Sequence, residues 1–245
     1  MLQVDRDDCR DHAALFFPYI GYFQLMQVVD TFVFFDDVQY IDRGWVNRNR
    51  IPLDDKSAWL TMPVRNASRS LPINQREYLL DEGVRTIKRK LQTVYRTMDV
   101  SESFETINNL LDFTDANVAH FNAESLRDIA KRLGIRCRFV NASEVMNSQE
   151  GLRGEARVLE LCKRLRARHF INPIGGVGLY TPSRFDDSEI KLSFFRTTAP
   201  PSKTTSGPMH FSIIDLMMRH GIRGCRKLLT NHEILHPAMA QELLV

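Results

Sequence analysis

Between Phe16 and Ile51 the chain crowds together side chains that can recognise a small polar molecule and move its protons. Asp36 and Asp37 are adjacent, Gln39 follows, and Trp45, Asn47, Arg48, Asn49 and Arg50 form one run. Carboxylates accept protons, guanidinium forks grip phosphate oxygens in pairs, and indole and phenol rings offer flat faces. Such a set suits a sugar or a nucleotide, with Asp36, Asp37 and Tyr22 as the reacting groups and Tyr19 among the binding groups. The plain alternative is that Asp36-Asp37 makes a turn and the arginines, with Arg43, form a solvated surface.

Two later stretches add candidates. His169 opens HFINPIGGVGLY, in which Gly175 and Gly176 follow an expected strand, so that backbone amides can approach a phosphate near Tyr180. The pattern is neither a P-loop nor GxGxxG, and taken alone it reads as easily as a plain loop. Ser212 stands three residues before Asp215, the spacing of a capped helix start. The competing reading has the amides of that helix start binding an anion, helped by Lys203, Thr204, Thr205 and Ser206. His169 and His210 are the better catalytic histidines, since imidazole titrates near neutrality without tuning. His232 and His236 have helical spacing, but Pro237 follows at once and no HExxH motif occurs, so no metal site is expected. No motif specifies a cofactor, and none supplies a nucleophilic Ser or Cys, which favours direct attack.

These groups must be held by a scaffold whose elements are readable. Tyr22–Val29 repeats helically and Thr31–Phe35 is a β-branched and aromatic strand ending at the two acids, the edge at which open α/β sheets bind ligands. A hairpin pairs Arg50-Ile51 with Trp59–Val64 about a turn at Asp54-Asp55-Lys56. Helices follow within Ile73–Tyr95, over Ser101–Leu111 and over Ala123–Leu133, the last stopped by Gly134. Strands are expected at Ile135–Val140, His169–Asn172 and Ile190–Phe195, a helix at about Glu155–Arg166, and closing helices at Ser212–His220 and Pro237–Leu244. Ala199–Pro208 reads as a loop able to act as a lid. The alternation predicts an α/β protein: a Rossmann-like three-layer fold with a mostly parallel sheet, a small β-hairpin insertion and C-terminal helices. The basic face of the second helix, Arg85, Lys88, Arg89, Lys90 and Arg96, reads as a solvated surface rather than a phosphate contact.

Composition fits that picture. The 245 residues are 43% hydrophobic and 26% charged, with a net charge of only +3, so bulk electrostatics do not call for nucleic acid. Cys9, Cys137, Cys162 and Cys225 lack any CxxC spacing and are expected to be reduced thiols of a cytoplasmic protein. No apolar run is long enough for a membrane span, and the polar start MLQVDRDDCRD does not read as a signal peptide.

PYIGYFQLM, VVDTFVFFDDVQYIDRGWVNRNRI and WLTMPV, followed by HFINPIGGVGLY and FSIIDLMMRHG in the same order, resemble the WbqC-like family of bacterial proteins. The resemblance implies one domain over residues 16–245 preceded by a divergent segment 1–15, in which the family's opening strand is not legible. It also implies a place among O-antigen and other surface-glycan functions, with glycyl or other acyl transfer to a nucleotide-linked amino sugar as the suggested activity. A small-molecule partner is implied, with Arg48, Arg50 and the Gly175 region holding its phosphates. Tyr19-Ile20-Gly21-Tyr22, with Ser212 opening a later helix, also resembles in shape the HIGH-motif nucleotidyltransferases, with tyrosines in place of histidines. That leaves a nucleotide-activating enzyme, or a non-catalytic scaffold of the same pathway, as the alternatives.

Overall fold

A computed structural model describes residues 13–98, 100–147, 151–205 and 207–243. Most of the divergent segment 1–15 therefore lies outside the described residues, as do Ser206 and Cys9. The fold is mixed α/β. In order it runs α1 (Ile20–Val28), β1 (Thr31–Phe34), the hairpin β2 (Arg48–Leu53) and β3 (Lys56–Thr61), then α2 (Leu80–Val94), α3 (Ser101–Leu111) and α4 (Val118–Leu133). The second half runs β4 (Arg138–Asn141), α5 (Ala142–Val145), α6 (Gly154–Arg164), β5 (His169–Pro173), α7 (Pro182–Asp186), β6 (Lys191–Thr197), β7 (Ser202–Thr204), β8 (Gly207–Met209), α8 (Ile213–Leu228), β9 (His232–Leu235) and α9 (Pro237–Glu242).

The helices follow their sequence signals. α4 starts where Asn117 accepts hydrogen bonds from the amides of Ala119 and His120, and it ends at Gly134, whose φ of 81° is left-handed. α2 buries Gly83, Ile87 and Leu91 on one stripe and leaves its basic face outward. Lys88 on that face pairs with Asp112 at 2.6 Å, and Lys90 donates to the carbonyl of Trp59 at 2.7 Å, so the face is only partly a free solvated surface.

The sheet differs from expectation. Parallel pairing occurs between β1 and β4, register Thr31 to Arg138 through Phe34 to Asn141, and between β5 and β6. β9 adds antiparallel to β6, and β2–β3 and β7–β8 are separate antiparallel hairpins. Among the described residues the ladders form four small sheets rather than one continuous parallel sheet. One large apolar cluster joins Phe16, Phe23, Phe32, Phe34, Phe121, Leu126 and Ile214, and a smaller one joins Phe35, Val158, Phe185 and Phe194, with Val38 packed against both.

Several expected bounds also shift. α1 begins two residues early, at Ile20, with Tyr19 as its N-cap. α8 continues to Leu228 through a kink at Gly221. The expected lid, Ala199–Pro208, carries the β7–β8 hairpin, anchored where the Thr205 amide and hydroxyl donate to the Asp55 carbonyl at 3.0 and 2.9 Å. His232 and His236 do not share a helix: His232 lies in β9, stacked on Phe195, and His236 is the N-cap of α9.

Candidate functional site

The site is built on the segment that enters α1. Residues Phe16 to Pro18 turn sharply, with Phe17 at a φ of +42°, and their carbonyls would be buried without partners if the rest of the chain did not supply donors. Asn49 donates its amide to the carbonyls of Phe16 and Phe17 at 3.2 and 2.9 Å, while its oxygen accepts the Arg50 amide at 2.7 Å. Ser212 donates its hydroxyl to the Phe17 carbonyl at 2.7 Å, and the amides of Ser212 and Ile213 reach the carbonyls of Arg50 and Pro18 at 2.9 and 2.8 Å. Ser212 also caps α8 by accepting from the Ile214 amide at 3.2 Å. Asn49 and Ser212 thus lock three distant pieces of chain together, and their polar atoms are spent in doing so.

Strand alternation then decides what faces outward. Asn47 and Asn49 point into the protein, so Arg48 and Arg50 share the opposite face of β2. Register places Trp59 directly across from Arg50. The guanidinium carbons of Arg48 and Arg50 stand 4.0 and 4.3 Å from the Trp59 ring centroid, and Trp45 packs on Trp59 at 5.5 Å while remaining 43% exposed. Stacking on an indole holds both cations flat and leaves their N–H edges turned aside for an acceptor.

Among the described residues neither Arg48 nor Arg50 pairs with a carboxylate, and the Nε of each is buried with no hydrogen-bond partner. Arg48 donates to the Arg43 carbonyl, and Arg50 Nη1 lies 3.7 Å from Met209 Sδ, a weak contact for a cation. Burial, followed by the charges of Arg43 and Arg50, pushes the Arg48 pKa down, as expected where like charges crowd without a counter-ion. A bound anion would relieve that repulsion and satisfy the stranded N–H groups.

Tyr19 and His210 are joined to β2 through the chain next to them, since Met209 touches the Arg50 guanidinium and the Ser212 amide bonds the Arg50 carbonyl. Tyr19 is the N-cap of α1, with no side-chain cap of its own, and its ring lies where a Cβ on residue 21 would fall, 2.3 Å from the nearest ring carbon. Gly21 therefore admits the ring. The Tyr19 and His210 rings are 5.3 Å apart. Tyr22, two residues into the buried side of α1, instead donates its hydroxyl to the Ala13 carbonyl at 2.5 Å within the core.

The two acids at the end of β1 are engaged elsewhere. Asp36 is buried and accepts from the Ser143 amide at 3.0 Å, the Ser143 hydroxyl at 2.5 Å and the Asn74 amide at 3.1 Å, which fixes the start of α5. Asp37 holds Arg157 of α6 through both oxygens, at 2.6 and 2.7 Å, with both side chains over nine-tenths buried. Gln39 is exposed and donates to the Arg69 carbonyl at 3.1 Å. Asn47 donates to the Met62 carbonyl at 3.0 Å and so fastens β3.

A third group sits on the second parallel pair. His169, largely exposed at the start of β5, meets the buried Ser193 hydroxyl at 2.9 Å, and partial burial followed by Lys191 pushes its pKa down. Gly175 and Gly176 lie in a 3-10 turn over Ile174–Leu179, and Tyr180 packs on Phe170 and Phe185. Trp45, Arg48 and Arg50 are therefore brought together on Trp59, Tyr19 is joined to them only through the chain beside it, the two acids bond to α5 and α6, and His169 belongs to β5.

Three contributors were not read as site residues from sequence. Trp59 was signalled by the expected hairpin, since pairing about Asp54-Asp55 puts it opposite Arg50. Lys90, whose ammonium fixes the Trp59 carbonyl, and Arg157 carry no local signal, because each acts on a segment distant in sequence.

The chain belongs to the WbqC-like protein family, whose sequence model matches residues 14–227. It is also similar to an uncharacterized protein of Mycobacterium tuberculosis, Rv1507c, 28% identical over 186 residues that cover 74% of this chain and 78% of that one. No solved structure matches the chain. Among the described residues no helix is long and apolar enough to cross a membrane, and no three His, Cys, Asp or Glu side chains converge as a metal site would require.

Proposed function

We propose that the face formed by Arg48, Arg50, Trp45 and Trp59 binds the phosphates and a flat ring of a nucleotide-linked sugar. On this reading the protein is a transferase of bacterial surface-polysaccharide (O-antigen) biosynthesis, moving a glycyl or other acyl group onto a sugar amine in the cytoplasm, where nucleotide-linked sugars are made. The observation that carries it is the pair of guanidiniums stacked on Trp59 with buried Nε groups and no carboxylate partner among the described residues. Two adjacent forks match a diphosphate, and the exposed indole of Trp45 matches a base or sugar ring. Asp36 and Asp37 then act as fixed supports for the elements around the site rather than as bases. The two parallel pairs, β1–β4 and β5–β6, support a Rossmann-like plan for the scaffold.

A thermal-shift screen against uridine-diphosphate sugars, ATP with magnesium, and acyl-coenzyme A tests the reading. A ligand at a hundred times its Kd stabilises by about 2.7 kcal/mol, roughly 5–11 °C for a chain of this size. The expected result is a shift with nucleotide sugars that Arg48→Ala and Arg50→Ala each abolish. No shift at millimolar concentration discards the proposal.

A second reading, nucleotide activation, draws support from the starts of α1 and α8. They are bonded side by side through Pro18, Phe17, Ser212 and Ile213, as the HIGH-type likeness requires. A shift with ATP and magnesium alone would favour it. A scaffold role would instead leave pathway output unchanged in folded Arg48 and Arg50 variants.

A further inference from the structure

Nearly every polar side chain around Phe16–Pro18 is committed to a bond within the protein. His210 differs. Its ring is half-buried, it contacts the Tyr19 ring at 5.3 Å, and neither ring nitrogen has a hydrogen-bond partner among the described residues. The chain on either side of it is tied to Arg50: Met209 Sδ lies 3.7 Å from the Arg50 guanidinium, and the Ser212 amide donates to the Arg50 carbonyl at 2.9 Å. Tyr19 is flanked in the same way, since Pro18 accepts from Ile213 at 2.8 Å. The Tyr19–His210 pair is thereby placed one residue from Met209, which touches the Arg50 guanidinium.

We propose that Tyr19 and His210 form a second subsite for the ligand bound by Arg48 and Arg50, in which a His210 ring nitrogen accepts a hydrogen bond from a hydroxyl or amine of the sugar. This deepens the nucleotide-sugar reading and rests on it. The chemistry of the two halves is complementary. Guanidiniums only donate and so take the phosphates, whereas a sugar presents donors that an imidazole nitrogen accepts while the Tyr19 ring covers the sugar's C–H face. Burial supports the assignment by pushing the His210 pKa down, which keeps the accepting nitrogen unprotonated at neutral pH.

The experiment measures binding of two probes, uridine diphosphate and uridine-diphosphate-glucosamine, to the wild-type chain, His210→Leu and His210→Gln by titration calorimetry, with circular dichroism as a check of folding. In the wild type the sugar-bearing probe binds more tightly than the diphosphate alone. One hydrogen bond contributes about three- to tenfold in affinity, so His210→Leu weakens the sugar-bearing probe by that factor and leaves uridine diphosphate unchanged. His210→Gln, which retains an acceptor, recovers part of the loss and stands in should the leucine variant fail to fold. Equal affinities of wild type and both variants for the sugar-bearing probe overturn this inference alone, as does an equal loss for both probes. Failure of the wild type to bind either probe overturns the nucleotide-sugar reading beneath it.

Discussion

Replacing Asp37 separates a structural acid from a reacting one. Arg157 reaches both oxygens of Asp37 through a single terminal nitrogen, its own Nε is buried with no acceptor, and its guanidinium sits 5.6 Å from the Phe35 ring. Among the described residues Asp37 is the carboxylate that pairs with Arg157. Removing one partner of such a pair leaves an uncompensated ion in the interior, which costs about 3–5 kcal/mol. For a chain of this length that is a fall in Tm of roughly 6–20 °C, out of a total stability on the order of 5–15 kcal/mol. Asp37→Asn keeps the volume and deletes the charge, so thermal and urea denaturation read the electrostatic cost without a cavity. The double variant Asp37→Leu, Arg157→Met should regain most of the loss, because well-packed apolar replacements of a buried ion pair are often neutral. A Tm for Asp37→Asn within about 2 °C of wild type would refute the reasoning and return Asp37 to the list of candidate bases.

Three further outcomes follow from particular contacts. Gly83→Ala puts a Cβ 2.2 Å from Met62 Sδ and 2.7 Å from Pro63 Cδ, so overpacking should cost about 1–3 kcal/mol; an unshifted urea midpoint would show that the Met62-Pro63 segment yields freely. Asn49→Ala strands the Phe16 carbonyl and leaves that of Phe17 to Ser212 alone, and should cost about 1–3 kcal/mol with an unchanged m-value; wild-type stability would mean that another donor reaches Phe16. His169 and His210 both have folded pKa values below the unfolded value near 6.5, so their contribution is complete above that value and is lost as pH falls below it. The Tm should therefore decline between pH 7 and pH 5, less steeply in His210→Gln, and parallel curves for the two proteins would contradict the assignment.

Elements whose signals are local were legible in the sequence. The apolar repeat of Leu80, Val84, Ile87 and Leu91 marked α2, and Asp54-Asp55 between apolar runs marked the β2–β3 hairpin. What resisted reading were pairings decided over distance. The alternation of helix and strand suggested one parallel sheet, yet backbone bonding divides the strands among four ladders, and β9 joins β6 from the end of the chain. The same limit applied to the site. Asp36-Asp37 and Arg48-Asn49-Arg50 both read as clusters able to do chemistry, and only tertiary partners separate them. Ser143, Asn74 and Arg157 arrive from distant segments to satisfy the acids, whereas Asn49 turns inward to hold Phe16 and Phe17, and strand alternation turns Arg48 and Arg50 the other way.

This difference is what makes the hairpin face the better candidate. A buried acid that already has its donors is at an energetic minimum and gains little from a ligand. Two guanidiniums with stranded Nε groups are held by Trp59 and by each other's neighbours at a cost in repulsion and desolvation. On the proposed reading, a ligand that brings both a negative charge and a hydrogen-bond donor would satisfy this stacked couple and the half-buried imidazole, neither of which has a carboxylate partner among the described residues. An anion without a sugar supplies only the first, which is why the comparison of uridine diphosphate with its glucosamine conjugate divides the site into its two halves.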